Sequence, residues 1–239
     1  MAGNGETMGS GIGGKIFRGA AIVSACTLLA KLMGFVQKLV MAGEFGVGVA
    51  ADAFTFAFGS ILFSMIVIPQ QLIAPFLPLF VEEKEKNGED AAWAFASSVL
   101  LVLAGVVGVM VVVGMLGAEP IVRFVSRFES PEVVKSTVEL VRMMFPAALF
   151  MAMFSLAALL MNAHKRFAIP ALGDAMNKFV VVLAMVLMVR AMGIKSLAFG
   201  VLAGAVVCVI LQVVGLRREI GRLRFRVDVT SGPFRKLLW

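Results

Sequence analysis

Four uninterrupted apolar runs, at 53–81, 91–116, 143–163 and 196–216, contain no Asp, Glu, Lys or Arg. At about 1.5 Å of rise per residue, each reaches or exceeds the ~20 residues that cross about 30 Å of hydrocarbon. A backbone in lipid must satisfy its own hydrogen bonds, so runs of this kind are read as membrane-spanning helices. Two further long apolar stretches carry charge: 16–41 holds Arg18, Lys31 and Lys38, and 168–192 holds Asp174, Lys178 and Arg190. Arg18 and Arg190 fall near the ends, where a long stem can snorkel to water. Six spans are expected, in a chain that is 60% hydrophobic and only 15% charged.

The net charge of +7 raises nucleic acid as a partner, but its distribution argues against one. With a cytoplasmic N-terminus, the inside segments hold Lys15, Arg18, Lys84, Lys86, Lys165, Arg166, Arg217, Arg218, Arg222, Arg224, Arg226, Arg235 and Lys236, against Arg123, Arg127, Lys135, Arg190 and Lys195 outside. That bias places both termini in the cytoplasm. Cys26 and Cys208 sit inside apolar spans and read as small packed side chains. Residues 1–15 are Gly-rich and polar and are expected to be disordered, with no clear signal-peptide cleavage site.

Charge inside the first span is the leading functional signal. Lys31 and Lys38 are seven residues apart and share a helical face. An ionisable group at membrane depth costs at least ~2.5 kcal/mol on insertion scales and is usually aimed at a bundle interior or a water-filled route. The helix therefore reads as one wall of a path for an anionic cargo. Two ammonium groups speak against a cationic one, since like charges repel strongly at low dielectric.

The remaining candidates each carry two readings. Asp52 follows a Gly-rich turn at 43–48 and is either the cap of the second helix or a gate residue. Pro69, Pro75 and Pro78 flank Gln70 and Gln71, so the second span should bend or unwind, bordering a cavity or merely packing. Asp174 and Lys178 are in the favourable i,i+4 order for a pair. Glu139 and Arg142, three apart, are expected to pair with each other, and His164 to be a basic loop residue. Between the third and fourth spans, at 118–129, Ile121, Phe124, Val125 and Phe128 form an i, i+3, i+4, i+7 stripe that Arg123 and Arg127 avoid, the pattern of a short amphipathic surface helix. Ser130, Pro131 and Glu132 read as the start of the fourth helix. Gly200, Ala203, Gly204 and Ala205 permit close helix approach in the sixth. The basic stretch 217–226 would touch membrane lipids, and 232–239 reads as the entry to a further helix, so a fragment or half-length protein is expected.

With one histidine, no His-based metal cluster or triad can be assembled. His-Glu-x-x-His, Gly-x-Ser-x-Gly and paired intramembrane aspartates are also missing, so neither an enzyme nor a bound cofactor is expected.

The segments Leu32-Met33-Gly34-Phe35, Phe45-Gly46-Val47-Gly48, Asp52-Ala53-Phe54 and Asn162-Ala163-His164-Lys165-Arg166-Phe167-Ala168-Ile169-Pro170, in that order, resemble the lipid II flippases of the MurJ or MviN family over residues 22–226. The resemblance implies an all-α membrane protein of the multidrug and oligosaccharidyl-lipid exporter superfamily, with this chain as the N-terminal six-helix lobe of a two-lobe fold. It divides the chain into an N-terminal tail (1–15), a lobe (16–220) and a basic linker with the start of a further helix (221–239). It implies flipping of an undecaprenyl-pyrophosphate-linked peptidoglycan precursor across the bacterial cytoplasmic membrane by alternating access, with a second six-helix lobe as partner. Lys31, Gln37 and Lys38 would then contact the anionic substrate, while Gly34, Asp52, Gln70, Gln71, Asp174 and Lys178 would support the gate. Lys31 stands where the family usually has arginine, and Gln37 with Lys38 where it has an arginine and aspartate pair. The family's paired arginines and Phe-Ala-Glu-Gly motif on the second helix are replaced here by the region 64–75. The alternatives are export of another polyprenyl-linked polysaccharide and a non-transporting scaffold in envelope synthesis.

Overall fold

The computed structural model describes residues 6–46, 48–126, 128, 130–217 and 219. Among them the secondary structure is entirely helical: α1 (Glu6–Phe45), α2 (Val49–Phe56), α3 (Phe63–Leu72), α4 (Phe76–Asn87), α5 (Glu89–Leu116), α6 (Ala118–Val125), α7 (Pro131–Ala163), α8 (Ala168–Met192) and α9 (Lys195–Gly215). Six stretches are long and apolar enough to cross a membrane: Gly19–Phe45, Val49–Asn87, Glu89–Leu116, Pro131–Ala163, Ala168–Met192 and Lys195–Gly215. They coincide with the six spans expected, and the chain is a multi-pass membrane protein. Helix α1 begins at Glu6, so residues 6–15 are helical where disorder was expected. Extending an existing helix costs far less than nucleating one, which lets a Gly-rich segment follow the span behind it. Residues 1–5 and 220–239, with the linker assigned to them, lie outside the described residues.

Helix α7 is the hub. It packs on α5, α6, α9 and every piece of the second span, while α8 joins α9 to α1. Its buried face includes Leu140, Met144, Phe145, Ala148, Ala152 and Leu156, an i, i+4 pattern that points one stripe inward. Small residues decide how closely α8 and α9 approach. A Cβ on Gly200 would lie 3.0 Å from Val181 Cα, and one on Gly204 2.9 Å from the Asn177 carbonyl oxygen. Helix α1 is the outlying element: it lies on α8 and touches α2 at its end, leaving Leu28, Leu32, Phe35 and Leu39 exposed.

The second span is the irregular one. It opens as α2, widens into a π-helical turn over Ala57–Leu62, continues as α3, breaks at 73–75 and resumes as α4. The break is where the prolines predict it: Pro69 lies inside α3, Pro75 is the cap residue of α4 and Pro78 stands in its first turn. The π turn has no proline, and nothing in the sequence predicts it. Asp52 does not cap the helix. Gly48 holds that position with extended backbone, and Asp52 is an exposed acid in the first turn.

Helix α6 is the expected surface helix, shorter than 118–129, with Arg127 and Glu129 outside the described residues. Its Ala118 and Val122 are buried against the bundle, while Phe124 is 92% exposed. Ser130 and Pro131 start α7 as expected, although the Ser130 hydroxyl makes no capping bond.

Candidate functional site

The site is built on the α1 and α8 pair. Helix α1 turns Ala30, Met33, Gly34, Gln37 and Met41 toward the bundle, all buried or half-buried. Lys31 and Lys38 lie about a quarter-turn round from that stripe, roughly 10 Å apart along the axis, and both are exposed. Among the described residues neither forms an ion pair, whereas Lys178 of α8 donates to Asp174 Oδ2 at 2.9 Å. The Lys178 stem runs against Gly34, where an added Cβ would meet Cδ at 3.5 Å. That contact puts the Asp174 and Lys178 pair on the lysine-bearing side of the interface.

The other side is apolar. There Leu29 and Met33 face Leu172, Ala175, Met176 and Phe179 across a cleft of about 210 Å³. The two sides follow from helix geometry. Ser24, Thr27, Lys31 and Lys38 fall on one face at spacings of three, four and seven residues, while Leu29 and Met33 fall on the opposite one. Ser24 and Thr27 escaped the sequence reading, although the i, i+3, i+7 spacing from Ser24 to Lys31 was there to find. Thr27 returns its hydroxyl to the Val23 carbonyl at 2.9 Å. This side of the interface therefore carries three ammonium groups and one carboxylate, an excess of two positive charges across the two spans.

The other predicted residues are dispersed. Gln70 Nε2 donates to Ser155 Oγ at 3.0 Å, tying the end of α3 to α7. Gln71 is exposed, and its backbone carbonyl accepts from the Ala74 N–H in the turn. Glu139 and Arg142 do not pair with each other. Glu139 Oε2 accepts from Lys195 Nζ at 2.7 Å, and Arg142 Nε donates to the Met115 carbonyl. Both partners come from neighbouring helices that the folded bundle brings within reach. His164 is not a solvated loop residue. Its Nδ1 lies 2.8 Å from the Leu160 carbonyl, and its ring packs on Trp93 and Phe80. Among the described residues no group of three or more His, Cys, Asp or Glu side chains is placed to hold a metal ion.

Point charges without carboxylate partners suit an anion whose oxygens can approach from several directions, as phosphate does. The family model described as "Lipid II flippase MurJ" matches residues 41–238. A lipid II flippase MurJ of Burkholderia cenocepacia is 28% identical over 208 residues, which cover 85% of this chain and 40% of that protein. A probable lipid II flippase MurJ of Rhizobium tropici is 30% identical over 167 residues, covering 68% and 31% respectively. Among solved structures, a lipid II flippase MurJ in an inward closed conformation matches with a TM-score of 0.72 at 19% identity, over 91% of this chain and 46% of that one. A MOP superfamily transporter from Pyrococcus furiosus matches at 0.71 and 13%, over 92% and 49%. The structural matches show a shared fold, and this chain spans less than half of each of these proteins. Since the family model covers most of its length, the chain belongs to the lipid II flippase MurJ family.

Proposed function

We propose that this chain supplies one lobe of a flippase that moves lipid II, the polyprenyl-pyrophosphate-linked peptidoglycan precursor, across the bacterial cytoplasmic membrane by alternating access. The observation that carries the reading is that Lys31 and Lys38, on a membrane span, are exposed and form no ion pair among the described residues. Each binds pyrophosphate oxygens as a point charge, and the adjoining Gln37 amide adds a hydrogen-bond donor. Gly34, with the Asp174 and Lys178 pair packed on it, fixes the separation of α1 and α8. Asp52, Gln70 and Gln71 support movement of the broken second span.

The work is transport, with no covalent step. A second six-helix lobe faces α1 and covers Leu28, Leu32, Phe35 and Leu39. The thin packing of α1 supports this, as does the match to only 46% of the solved flippase. The distribution of Lys and Arg supports a cytoplasmic N-terminus. Cells depleted of their own lipid II flippase test the proposal. The chain co-expressed with a complementary second lobe restores growth and the chain alone does not. Failure of every lobe combination to restore growth, with both proteins in the membrane, contradicts it.

A further inference from the structure

A second cluster of charge lies off α1, where α5 ends and α7 begins. Between α6 and the first turns of α7 is a cavity of about 440 Å³ whose charged lining is Glu119, Arg123, Lys135, Glu139 and Arg142. Helical spacing builds it: Lys135, Glu139 and Arg142 stand at i, i+4 and i+7 on one face of α7, and Glu119 and Arg123 are one turn apart on α6. Both carboxylates are already matched. Arg123 donates to Glu119 Oε1 from Nη2 at 3.0 Å and from Nε at 3.2 Å, and Lys195 of α9 donates to Glu139 Oε2 at 2.7 Å. Lys135 and Arg142 are exposed and form no ion pair among the described residues, so the cavity has two cationic groups in excess. Arg142 is also held in place. Its Nε donates to the Met115 carbonyl at the end of α5, at 3.2 Å, which leaves the two terminal amino groups as a fork for another acceptor.

Depth and surroundings narrow the acceptor. Arg142 directly precedes the charge-free run 143–163, Lys195 directly precedes 196–216, and Met115 is next to last in 91–116. Three helices, tied together by the contacts of Arg142 and Glu139, thus bring their last polar groups to one level. That level is the edge of the hydrocarbon, where the headgroup region of a bilayer begins. From the Met115 carbonyl back into the span, α5 exposes Leu116, Val113, Val109 and Val106, large apolar side chains on one helical stripe. A cationic fork at the head of an apolar stripe matches a ligand with an anionic head and a hydrocarbon tail. A free anion would use only the first.

We infer that this cavity binds the phosphodiester of an anionic bilayer phospholipid. The terminal amino groups of Arg142 donate to the phosphate oxygens, and an acyl chain follows the stripe on α5. Lys135, two turns farther from the hydrocarbon along α7, lies on the side of the headgroup. A headgroup ammonium would meet like charge there, whereas an uncharged glycerol headgroup would not. The site therefore selects phosphatidylglycerol over phosphatidylethanolamine, as basic pockets between membrane helices select anionic lipids.

The test is thermal unfolding of the full chain, delipidated in maltoside detergent and followed by circular dichroism, with phosphatidylglycerol, phosphatidylethanolamine or inorganic phosphate added at equal concentration. Phosphatidylglycerol is expected to raise the midpoint by about 3 °C or more, and the other two by roughly a third of that or less. Lys135→Gln and Arg142→Gln each lose roughly half or more of the phosphatidylglycerol shift. Arg190→Gln, at an exposed arginine that does not line the cavity, keeps all of it. Lys135 has no ion-pair partner to lose, so Lys135→Gln reads binding even where Arg142→Gln disturbs the fold. Several results overturn the inference: no shift with phosphatidylglycerol, an equal shift with phosphatidylethanolamine, an undiminished shift in Lys135→Gln, or an equal loss in Arg190→Gln. An equal shift with inorganic phosphate also overturns it and leaves a site for a free anion.

Discussion

Three lysines occupy one side of the α1 and α8 interface, and the structure separates their roles. Lys178 is neutralised by Asp174 and its stem lies on Gly34, so it contributes to packing. Among the described residues Lys31 and Lys38 pair with no carboxylate, and both are exposed, so replacing them with alanine changes stability by about 0.5 kcal/mol or less. Gly34→Leu behaves oppositely. It drives a side chain into the Lys178 stem and destabilises the protein by about 1–3 kcal/mol, while Gly34→Ala is close to neutral because its Cβ makes only ordinary contact. Thermal unfolding in detergent distinguishes the two: a lower midpoint for Gly34→Leu and unchanged midpoints for Gly34→Ala and the two lysine variants. The lysines were legible in the sequence because a charge within an apolar run stands out. Partners were legible only where they are local, as with Asp174 and Lys178. Glu139 selected Lys195 over its near neighbour Arg142, which no helical spacing rule anticipates. That surface pair, with both side chains over 40% exposed, contributes no more than about 1 kcal/mol, so Lys195→Ala leaves the midpoint almost unchanged.

At the level of elements, what could be read was whatever repeats with a helical period. The small residues of α9 behave as their spacing suggests, while in α6 the buried pair is Ala118 and Val122, beside the expected stripe and not within it. The second span shows where that reading fails. Its proline break was legible because proline acts locally, whereas the π turn at Ala57–Leu62, which packs against α7, has no such local mark. Asp52 was misread as a cap because Gly48, four residues earlier, already has the required extended backbone. The sharpest prediction concerns Gly204. Any side chain there meets the Asn177 backbone oxygen at 2.9 Å, and backbone cannot move aside cheaply. Gly204→Val forces α8 and α9 apart and lowers stability by about 1–3 kcal/mol, seen as a reduced thermal midpoint and a smaller folded fraction after purification. Ala203→Val, at a partly exposed neighbouring position, has a much smaller effect in the same assay.

At the scale of the whole molecule, the six spans follow from hydrophobic length alone, but their arrangement does not. No periodicity states that α1 would rest mainly on α8, nor that α7 would be the hub. Those contacts leave α1 with a polar strip on one side, an apolar cleft on the other and an outer face of large hydrophobic side chains. A lobe of this shape presents its charges on the least covered helix, where a facing lobe would enclose them. The most direct measurement is lipid II translocation in proteoliposomes by this chain assembled with its complementary lobe, with and without Lys31→Ala and Lys38→Ala. Charge-assisted hydrogen bonds to phosphate contribute about 1.5–3 kcal/mol each, so each single variant slows translocation roughly 10- to 100-fold and the double variant more, at unchanged stability. Translocation by the double variant at the unaltered rate would contradict the account.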